Sequence, residues 1–288
     1  MAIEWTADRI DESTPTEQFI AWTVERFRHR RVVITTSFGM EGCALIDMFA
    51  AQGAAPTVVY LDTMFLFPET YALRDRMVRR YPLITFVNRG TSLTPKQQEA
   101  RHGPQLWHRD PDLCCWIRKV EPMRQALAGA DVWITAITRS QGASREGTPL
   151  VAWDWQYQVL KICPLAGWDR PQIWEYVQQH QVPYNELHER GYPTIGCTHC
   201  TAPVKGATPD EYSRAGRWTV TEKTECGLHE EATAAASIPH PDPERSEGEG
   251  PIPLARYRQQ GPSVAFPFAL LRVRKPRDEE TTRNPDDQ

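Results

Sequence analysis

Residues 32–49, VVITTSFGMEGCALIDMF, are the stretch that decides the fold. The β-branched run at 32–36 is typical of a buried strand in a parallel sheet. It leads through a Ser/Gly turn at 37–42 into an apolar helix. Such a turn forms an anion site, because the free backbone N–H groups and the dipole of the helix N-terminus face the same point. Many α/β proteins keep such a turn for packing alone, so by itself it leaves phosphate binding open.

Strands and helices alternate after this stretch. Apolar and β-branched runs predict further strands at 57–61, 83–87, 131–136 and 159–163. Amphipathic or capped segments predict one or two helices within 1–30 and further helices from about Pro68, over 118–127 and over 169–180. This order predicts an α/β fold: a parallel twisted sheet with helices on both faces and a ligand crevice at the carboxyl ends of its strands. Ser37 and Asp62 follow such strand ends.

Composition and charge limit the choice of partners. The 288 residues are 40% hydrophobic and 24% charged, with a net charge of −4. These values are ordinary for a soluble globular protein and predict neither nucleic acid nor a membrane as a partner. The N-terminus lacks the charged and apolar regions of a secretion signal, and no apolar run is long enough to span a membrane. We therefore expect a cytoplasmic protein, and a homo-oligomer is compatible with this composition.

Four of the seven cysteines form two clusters, the adjacent pair Cys114 and Cys115 and the Cys-x-x-Cys pair Cys197 and Cys200. In a reducing compartment, thiols bind metals or catalyse reactions rather than form disulfides. If the two pairs meet in space, they supply four thiolates for a zinc ion or an iron–sulfur cluster. Buried thiols that act as small apolar side chains are the alternative.

Composition changes twice towards the C-terminus. Residues 191–229 are rich in Cys, Arg, Trp and His, which indicates a segment that carries a functional site. From about Glu230 the sequence turns to Pro, Glu, Ser and Gly, as in PHPDPERSEGEGPIP at 239–253. We predict a flexible linker and tail over 230–288.

Five ordered motifs together resemble the assimilatory adenylyl-sulfate (APS) reductases, the iron–sulfur type within the APS/PAPS reductase family. CCWIRKVEP at 114–122 is similar to the family's CCxxRKVEPL, and GCTHCTAPV at 196–204 to its GCxxCTxPV. RAGRW at 214–218 and ECGLH at 225–229 match the family's motifs, and the turn at 37–42 fits its modified phosphate loop. The resemblance implies a sulfonucleotide reductase catalytic domain at 1–229, with an adenine nucleotide alpha hydrolase-like sheet and an active-site arm at about 205–229.

The resemblance implies thioredoxin-dependent reduction of adenosine 5′-phosphosulfate (APS) to sulfite and AMP in assimilatory sulfate reduction. Cys226 is then the nucleophile that forms an S-sulfocysteine, and a thioredoxin or glutaredoxin-like dithiol releases sulfite. His229 and Lys119 are the further catalytic residues, since nearby cations or a histidine raise the thiolate fraction. Gly227 and the segment before it suggest a mobile arm that covers the ligand.

The resemblance also implies one 4Fe-4S cluster, held by Cys114, Cys115, Cys197 and Cys200. Reductases of the 3′-phosphorylated substrate (PAPS) usually lack both pairs, so their presence favours APS. The implied substrate-binding residues supply the phosphate loop, a contact near the adenine and the cations: Ser37, Gly39, Gly42, Leu61, Arg139, Arg145, Arg214 and Arg217. One departure from the family's pattern is Thr138, where an arginine is expected, and another is Ser140, where an acidic residue is expected.

Three alternatives remain open at this point. One is a PAPS reductase, and another is an adenylating enzyme of the ATP-pyrophosphatase type. Phe38, Met40 and Glu41 depart from the Ser-Gly-Gly-x-Asp-Ser loop of that type and argue against it. The third is a four-cysteine zinc-binding interaction module, which predicts a basic face that the net charge does not favour. Cys43 and Cys163 are predicted to be core thiols, and His199 to have at most an outer-shell role.

Overall fold

The computed structural model describes residues 10–219, 221 and 223–229. The predicted tail at 230–288 and the first nine residues of the predicted N-terminal helical region lie outside the described residues. The strands are β1 Val32–Thr36, β2 Thr57–Asp62, β3 Thr85–Gly90, β4 Val132–Thr135, β5 Val151–Asp154 and β6 Val159–Ile162. The α-helices are α1 Thr16–Arg26, α2 Met40–Ala51, α3 Pro68–Arg80, α4 Pro95–His102, α5 Leu106–Arg109, α6 Pro111–Cys115, α7 Glu121–Leu127 and α8 Arg170–Gln179.

The six strands form one sheet in the order β3-β2-β1-β4-β6-β5, and every pairing is parallel except that of β5 with β6. Successive residues of β1 point to opposite faces: Ile34 packs with α2 and α8, whereas Val33 packs with α7. The predicted α/β class is therefore confirmed. Sequence patterns missed the edge strand β5, and the strand predicted at 83–87 begins later because Ile84 closes a turn on the Tyr81 carbonyl at 3.0 Å.

The turn between β1 and α2 is fixed by close packing. A Cβ at Gly42 would lie 2.5 Å from Thr36 Oγ1, so only glycine lets the first turn of α2 approach β1 this closely. Phe38 takes a left-handed backbone conformation with φ of 57° while its ring is buried. The ring lies 5.3 Å from that of Tyr60, and such packing holds a backbone that would otherwise be unfavourable. The turn is thus held in one shape before any ligand binds.

The helix predicted at 118–127 is interrupted. A π-helical turn, Trp116–Val120, comes first, and α7 follows from Glu121. Pro122 has no N–H to donate to the carbonyl of Arg118, which explains why the regular α-helical pattern is broken there. This π-helical turn carries both Arg118 and Lys119 on the side of the clustered cysteines.

Helix α8 starts as predicted. The Asp169 carboxylate accepts from the Gln172 N–H at 2.9 Å, and the Gln172 side chain accepts from the Asp169 N–H at 2.9 Å, which is a capping box. The cap fixes the position of the first helical residue, Arg170. Within the described part of the chain, none of the helices combines the length and apolar character needed to cross a bilayer.

Candidate active site

A cleft of about 210 Å³ opens at the carboxyl ends of β1, β2 and β4. Its walls come from the loop after β1, the π-helical turn, the loop after β4 and residues 193–229. Ten of the predicted catalytic and substrate-binding residues line it: Ser37, Gly39, Gly42, Leu61, Lys119, Arg145, Arg214, Arg217, Cys226 and His229. The structure therefore brings together residues that lie up to 192 positions apart, from Ser37 to His229.

The N-terminus of α2 faces this cleft. The first bond within the helix runs from the Cys43 N–H to the Gly39 carbonyl at 3.0 Å. The N–H groups of Met40, Glu41 and Gly42 precede that bond and have no carbonyl acceptor within the helix. The Glu41 N–H is directed to its own carboxylate, which leaves those of Met40 and Gly42 for a ligand. All three residues line the cleft. The site therefore offers backbone donors and the positive end of a helix dipole to an anion.

Cys226 is half-buried in the cleft, in a segment that ionic contacts hold in place. The preceding residue, Glu225, pairs with Arg145 at 3.1 Å and with Arg214 at 3.2 Å. The Gly227 carbonyl accepts from the Gln156 side chain at 2.9 Å. Residues 225–229 thus lie across the cleft, with the thiol facing its interior.

The electrostatic surroundings favour the Cys226 thiolate. Burial raises the pKa of the thiol, but Lys119, the backbone N–H of Leu228 and Arg217 together outweigh burial and the nearby Glu225 carboxylate. The net pKa lies below the ordinary value of a cysteine. A thiolate is the nucleophilic form, so Cys226 is the cysteine of this cleft suited to attack.

Lys119 lies between the cleft and the clustered cysteines, and it lines both cavities. Burial lowers the pKa of its ammonium, yet thiolates at Cys197, Cys226 and Cys115 raise it by more. The net pKa lies above its usual range, so Lys119 remains a cation. The ammonium of one half-buried lysine therefore interacts with the reactive thiol and with both cysteine pairs.

Trp218 supports the two arginines of the RAGRW motif. The Arg217 guanidinium lies 4.4 Å and that of Arg214 lies 5.3 Å from the centroid of its ring. A Cβ at Gly216 would lie 2.2 Å from the Ala202 carbonyl oxygen. Glycine at this position therefore allows the backbone at residue 216 to pack closely against the backbone at residue 202. Sequence analysis missed the role of Trp218, although its place in the motif was the available signal.

His229 stacks on Trp133, with the ring centroids 5.1 Å apart and the planes 9° apart. Burial lowers its pKa, and the cations Lys161, Arg145 and Arg214 lower it further, well below the ordinary value. The imidazole is therefore neutral at pH 7. The positive charge that favours the Cys226 thiolate comes from Lys119 and Arg217 rather than from an imidazolium.

Arg139 is the predicted substrate-binding residue that does not line the cleft. Its guanidinium pairs with Glu12 at 2.7 Å and donates to the Thr148 carbonyl at 2.8 Å. Nearby, the Thr138 and Ser140 hydroxyls lie 2.9 Å apart. The loop after β4 therefore presents Arg145 to the cleft and uses Arg139 to fasten its outer side.

The two predicted cysteine pairs meet at one small pocket beside the cleft, which Arg118 and Lys119 also line. Three of the thiols are buried and Cys200 is half-buried. Burial and neighbouring thiolates raise the pKa of Cys114 to about 12. The same two causes raise that of Cys200 to about 11, against the opposing effect of Lys119. Among residues 10–219, 221 and 223–229, no three His, Cys, Asp or Glu side chains are placed to hold one metal ion.

Cys43 and Cys163 lie away from this pocket, whereas His199 is one of its lining residues. Cys43 and Cys163 are buried in the core, as predicted. His199 lies between Cys197 and Cys200 in sequence but is exposed, and it stacks on Trp107 with the ring centroids 3.9 Å apart. Its ring contacts an aromatic wall of the pocket.

Three buried polar residues that were not among the predicted site residues also line the cleft: Glu41, Arg170 and His188. Arg170 donates to the Glu41 carboxylate at 2.6 Å and to the Pro193 carbonyl at 3.2 Å. Its position next to a helix cap gave no sign of a site. These residues meet only because α2, α8 and residues 186–194 converge in the fold.

Comparison with known proteins agrees with this geometry. Residues 31–203 match the family described as the phosphoadenosine phosphosulfate reductase domain. The chain is 41% identical over 226 residues to the adenosine 5′-phosphosulfate reductase of Oceanobacillus iheyensis, covering 78% of this chain and 92% of that protein. It is 45% identical over 195 residues to that of Salinibacter ruber, covering 67% of this chain and 76% of that protein.

A solved structure is also similar. The phosphoadenylyl-sulfate (PAPS) reductase from Candida auris, a phosphate complex, is 28% identical, with a TM-score of 0.58 and coverage of 66% of this chain and 91% of that one. The family match extends over more than half of the chain and includes the loop after β1, the cysteine pairs and β1 to β6. The chain belongs to the phosphoadenosine phosphosulfate reductase domain family.

Proposed function

We propose that this protein reduces APS to sulfite and AMP, with a thioredoxin or glutaredoxin-like dithiol as reductant. The observation that carries the proposal is the position of Cys226. This thiol, whose pKa is lowered, lies in one cleft with an anion-binding helix N-terminus and the cations Lys119, Arg145, Arg214 and Arg217. The names of the relatives support APS as the substrate.

The substrate explains why the cleft needs so many cations. APS is a mixed phosphoric–sulfuric anhydride with negative charge on both acid groups, and a thiolate that approaches it is repelled. The N–H groups at the start of α2 and the phosphate-loop residues Ser37, Gly39 and Gly42 hold the phosphosulfate, with Leu61 near the adenine. Arg145, Arg214, Arg217 and Lys119 offset the charge of the sulfate and of the departing phosphate. Arg139 is bound to Glu12, which leaves it outside this set.

The reaction has two transfer steps. The Cys226 thiolate attacks the sulfur of APS, the bond from sulfur to the bridging oxygen breaks, and AMP leaves with the electron pair. An S-sulfocysteine remains on Cys226. One thiolate of the dithiol then attacks Cys226 Sγ, and sulfite leaves with the electron pair of the sulfur–sulfur bond. The second thiol of the dithiol resolves the mixed disulfide and restores Cys226, so the dithiol supplies both electrons.

His229 and the segment around it have a positioning role in this proposal. The neutral imidazole stacks on Trp133 and fixes the end of the segment that carries Cys226. Residues 205–229 act as the active-site arm of the catalytic domain at 1–229. The arm covers the ligand during the first step and presents the S-sulfocysteine to the dithiol in the second.

We further propose that Cys114, Cys115, Cys197 and Cys200 hold one 4Fe-4S cluster. The donor set fits, because four thiols surround one pocket and the cations Arg118 and Lys119 offset their charge. A tetrahedral zinc ion needs its four thiolates around a single point, whereas in a cluster each thiolate binds its own iron. When bound, the cluster supplies a fixed charge beside Lys119. This donor set favours the reductase over a zinc-binding interaction module.

The cysteines also support a reducing compartment, and we propose the cytoplasm. All seven are unpaired in the structure. Free thiols persist where glutathione and thioredoxin keep them reduced. The same compartment provides the dithiol that the second step requires.

The substrate assignment predicts sulfite production from APS. With thioredoxin as reductant, the full chain should form sulfite from APS at a higher kcat/KM than from PAPS. The reason is that both cysteine pairs are present, and reductases of PAPS usually lack them. A sulfite assay on both substrates under identical conditions measures this preference. A higher kcat/KM for PAPS would assign the protein to the alternative, a PAPS reductase.

Cys226→Ser should abolish sulfite release, with a loss of about a thousandfold or more, because a hydroxyl at neutral pH is not ionised and cannot form the S-sulfo intermediate. Mass spectrometry of the protein mixed with APS should show the added sulfo group on the unchanged chain and not on the variant. Cys163→Ala is the matched control, since that thiol lies in the core. Near-normal turnover of Cys226→Ser would refute the nucleophile assignment.

Lys119→Met should raise the pKa of Cys226 by roughly one to three units, because burial then acts without its main opposing cation. Below the raised pKa the thiol is protonated, so alkylation of Cys226 should shift to higher pH. The pH profile of iodoacetamide labelling, followed on the peptide that contains Cys226, measures this. Lys96→Met, a change at an exposed lysine outside the cleft, should leave the profile unchanged. An unshifted profile for Lys119→Met would show that other groups set the pKa.

Cys197→Ala should remove iron and acid-labile sulfide together, because the cluster loses one of its four ligands. Iron analysis and the visible spectrum of anaerobically purified protein measure the loss independently of turnover. Cys163→Ala should keep the iron content of the unchanged protein. Bound zinc and no visible colour in the unchanged protein would contradict the cluster assignment.

A further inference from the structure

His188 is a buried group that the proposed reaction does not use. It lies in the 3₁₀ turn Glu186–Arg190, is 2% exposed, and lines the cleft. Its Nε2 is buried and has no hydrogen-bond partner among the residues that the structure describes. Leaving a buried polar atom unpaired is costly, so such an atom in a ligand cleft indicates a missing partner.

The contacts of the other ring nitrogen fix the tautomer. His188 Nδ1 lies 2.7 Å from the Tyr192 carbonyl oxygen and 3.3 Å from Arg170 Nη2. It cannot donate to the first and accept from the second at once. The carbonyl contact is the shorter, and Arg170 Nη2 has another acceptor in the Pro193 carbonyl at 3.2 Å. Nδ1 therefore carries the proton, and Nε2 presents a lone pair.

The surrounding charges keep the imidazole in this neutral form. Burial and the adjacent Arg170 guanidinium lower the pKa of His188 to about 4, although the Tyr192 carbonyl and Glu41 act in the opposite direction. Arg170 itself is committed to Glu41, Pro193 and Pro209. The group that His188 offers to a ligand is thus an uncharged acceptor.

Few groups of the substrate can satisfy such an acceptor. The phosphate and sulfate oxygens of APS, and the ring nitrogens of adenine, carry lone pairs of their own. The donors are the two ribose hydroxyls and the amino group of adenine. Asn185, three residues before His188, donates to Thr70 at the start of α3. Arg170, which contacts His188 Nδ1, donates to Glu41 in α2, so His188 lies on the side of the cleft near α2 and α3.

We propose that His188 Nε2 accepts a hydrogen bond from the nucleoside part of the substrate, from a ribose hydroxyl or the adenine amino group, and thereby determines nucleoside specificity. This inference rests on the proposed function for the identity of the substrate. If the donor is the 3′-hydroxyl, the same contact disfavours PAPS. The oxygens of a 3′-phosphate carry lone pairs, which would be repelled by the lone pair of His188 Nε2. His188 would then supply part of the choice between the two substrates.

The test measures binding of AMP, the product of the proposed reaction, to the full chain by isothermal titration calorimetry. The comparison ligands are 2′-deoxy-AMP, 3′-deoxy-AMP and purine riboside 5′-monophosphate, each of which lacks one donor. The unchanged protein should bind one of the three about tenfold more weakly than AMP. That ligand identifies the group that His188 recognises.

His188→Ala should bind AMP about tenfold more weakly and should no longer distinguish AMP from the ligand identified above. A variant that merely perturbs packing would instead weaken all four nucleotides alike. If His188→Ala does not fold, as judged by thermal melting, His188→Phe keeps the ring volume without the acceptor. His180→Ala, at an exposed histidine outside the cleft, should keep the full preference.

Equal affinity of the unchanged protein for all four nucleotides, or no binding of AMP, would overturn the inference. It would also be overturned if the His188 variants kept the preference of the unchanged protein. The sulfite assay separates this result from the proposed function. If the unchanged protein forms sulfite from APS but shows no nucleoside preference, only the role of His188 is refuted. If the unchanged protein shows the preference, the His188 variants lose it, and no sulfite is formed, only the proposed reaction is refuted.

Discussion

The contacts of the half-buried Lys119 with thiols on two sides are the interactions on which the arrangement of the site depends. Thiols lie on two sides of it: the paired cysteines in one pocket and Cys226 in the cleft. Each thiolate is costly to bury alone, and the lysine is costly to bury without them. The π-helical turn Trp116–Val120, just before Pro122, carries the lysine, which lines both the cleft and the cysteine pocket.

Much of the fold was predictable because its signals are local. The β-branched run at 32–36, the caps at Pro68 and Asp169, and the alternation of strands and helices each act within a few residues. β5 escaped prediction because its four residues include the exposed Trp153 and only Asp154, a polar residue, is buried, so no buried apolar face marks the strand. The π-helical turn escaped because its helical periodicity continues on both sides.

The site residues that lie in recognised sequence motifs could be predicted. The cysteines and the arginines at 214 and 217 lie in motifs, and the structure brings them to the cleft or to the pocket beside it. Arg139 was predicted to bind substrate because of its position in the loop after β4. In the structure it pairs with Glu12, which is 127 residues away in sequence, so the local sequence did not reveal this partner. In the buried network of Glu41, Arg170 and His188, only Glu41 lies in a recognised motif, the phosphate loop at 37–42. Each member depends on long-range contacts that a linear sequence does not display.

The segment that carries Cys226 is fastened at both ends by different means. Glu225 is held by two guanidinium groups, whereas Leu228 packs on the core cluster around Trp133 and His229 stacks on that ring. Any movement that lifts Cys226 out of the cleft therefore breaks ion pairs and wets an apolar surface in the same step. The uncovered side chains of Leu228 and Trp133 would form an apolar patch next to the modified sulfur of Cys226. A reductant that covers this patch as it docks would offset the free-energy cost of exposing apolar surface to water. The segment would then open, and expose the modified Cys226, only when the surface of a protein partner replaces the surface of the cleft.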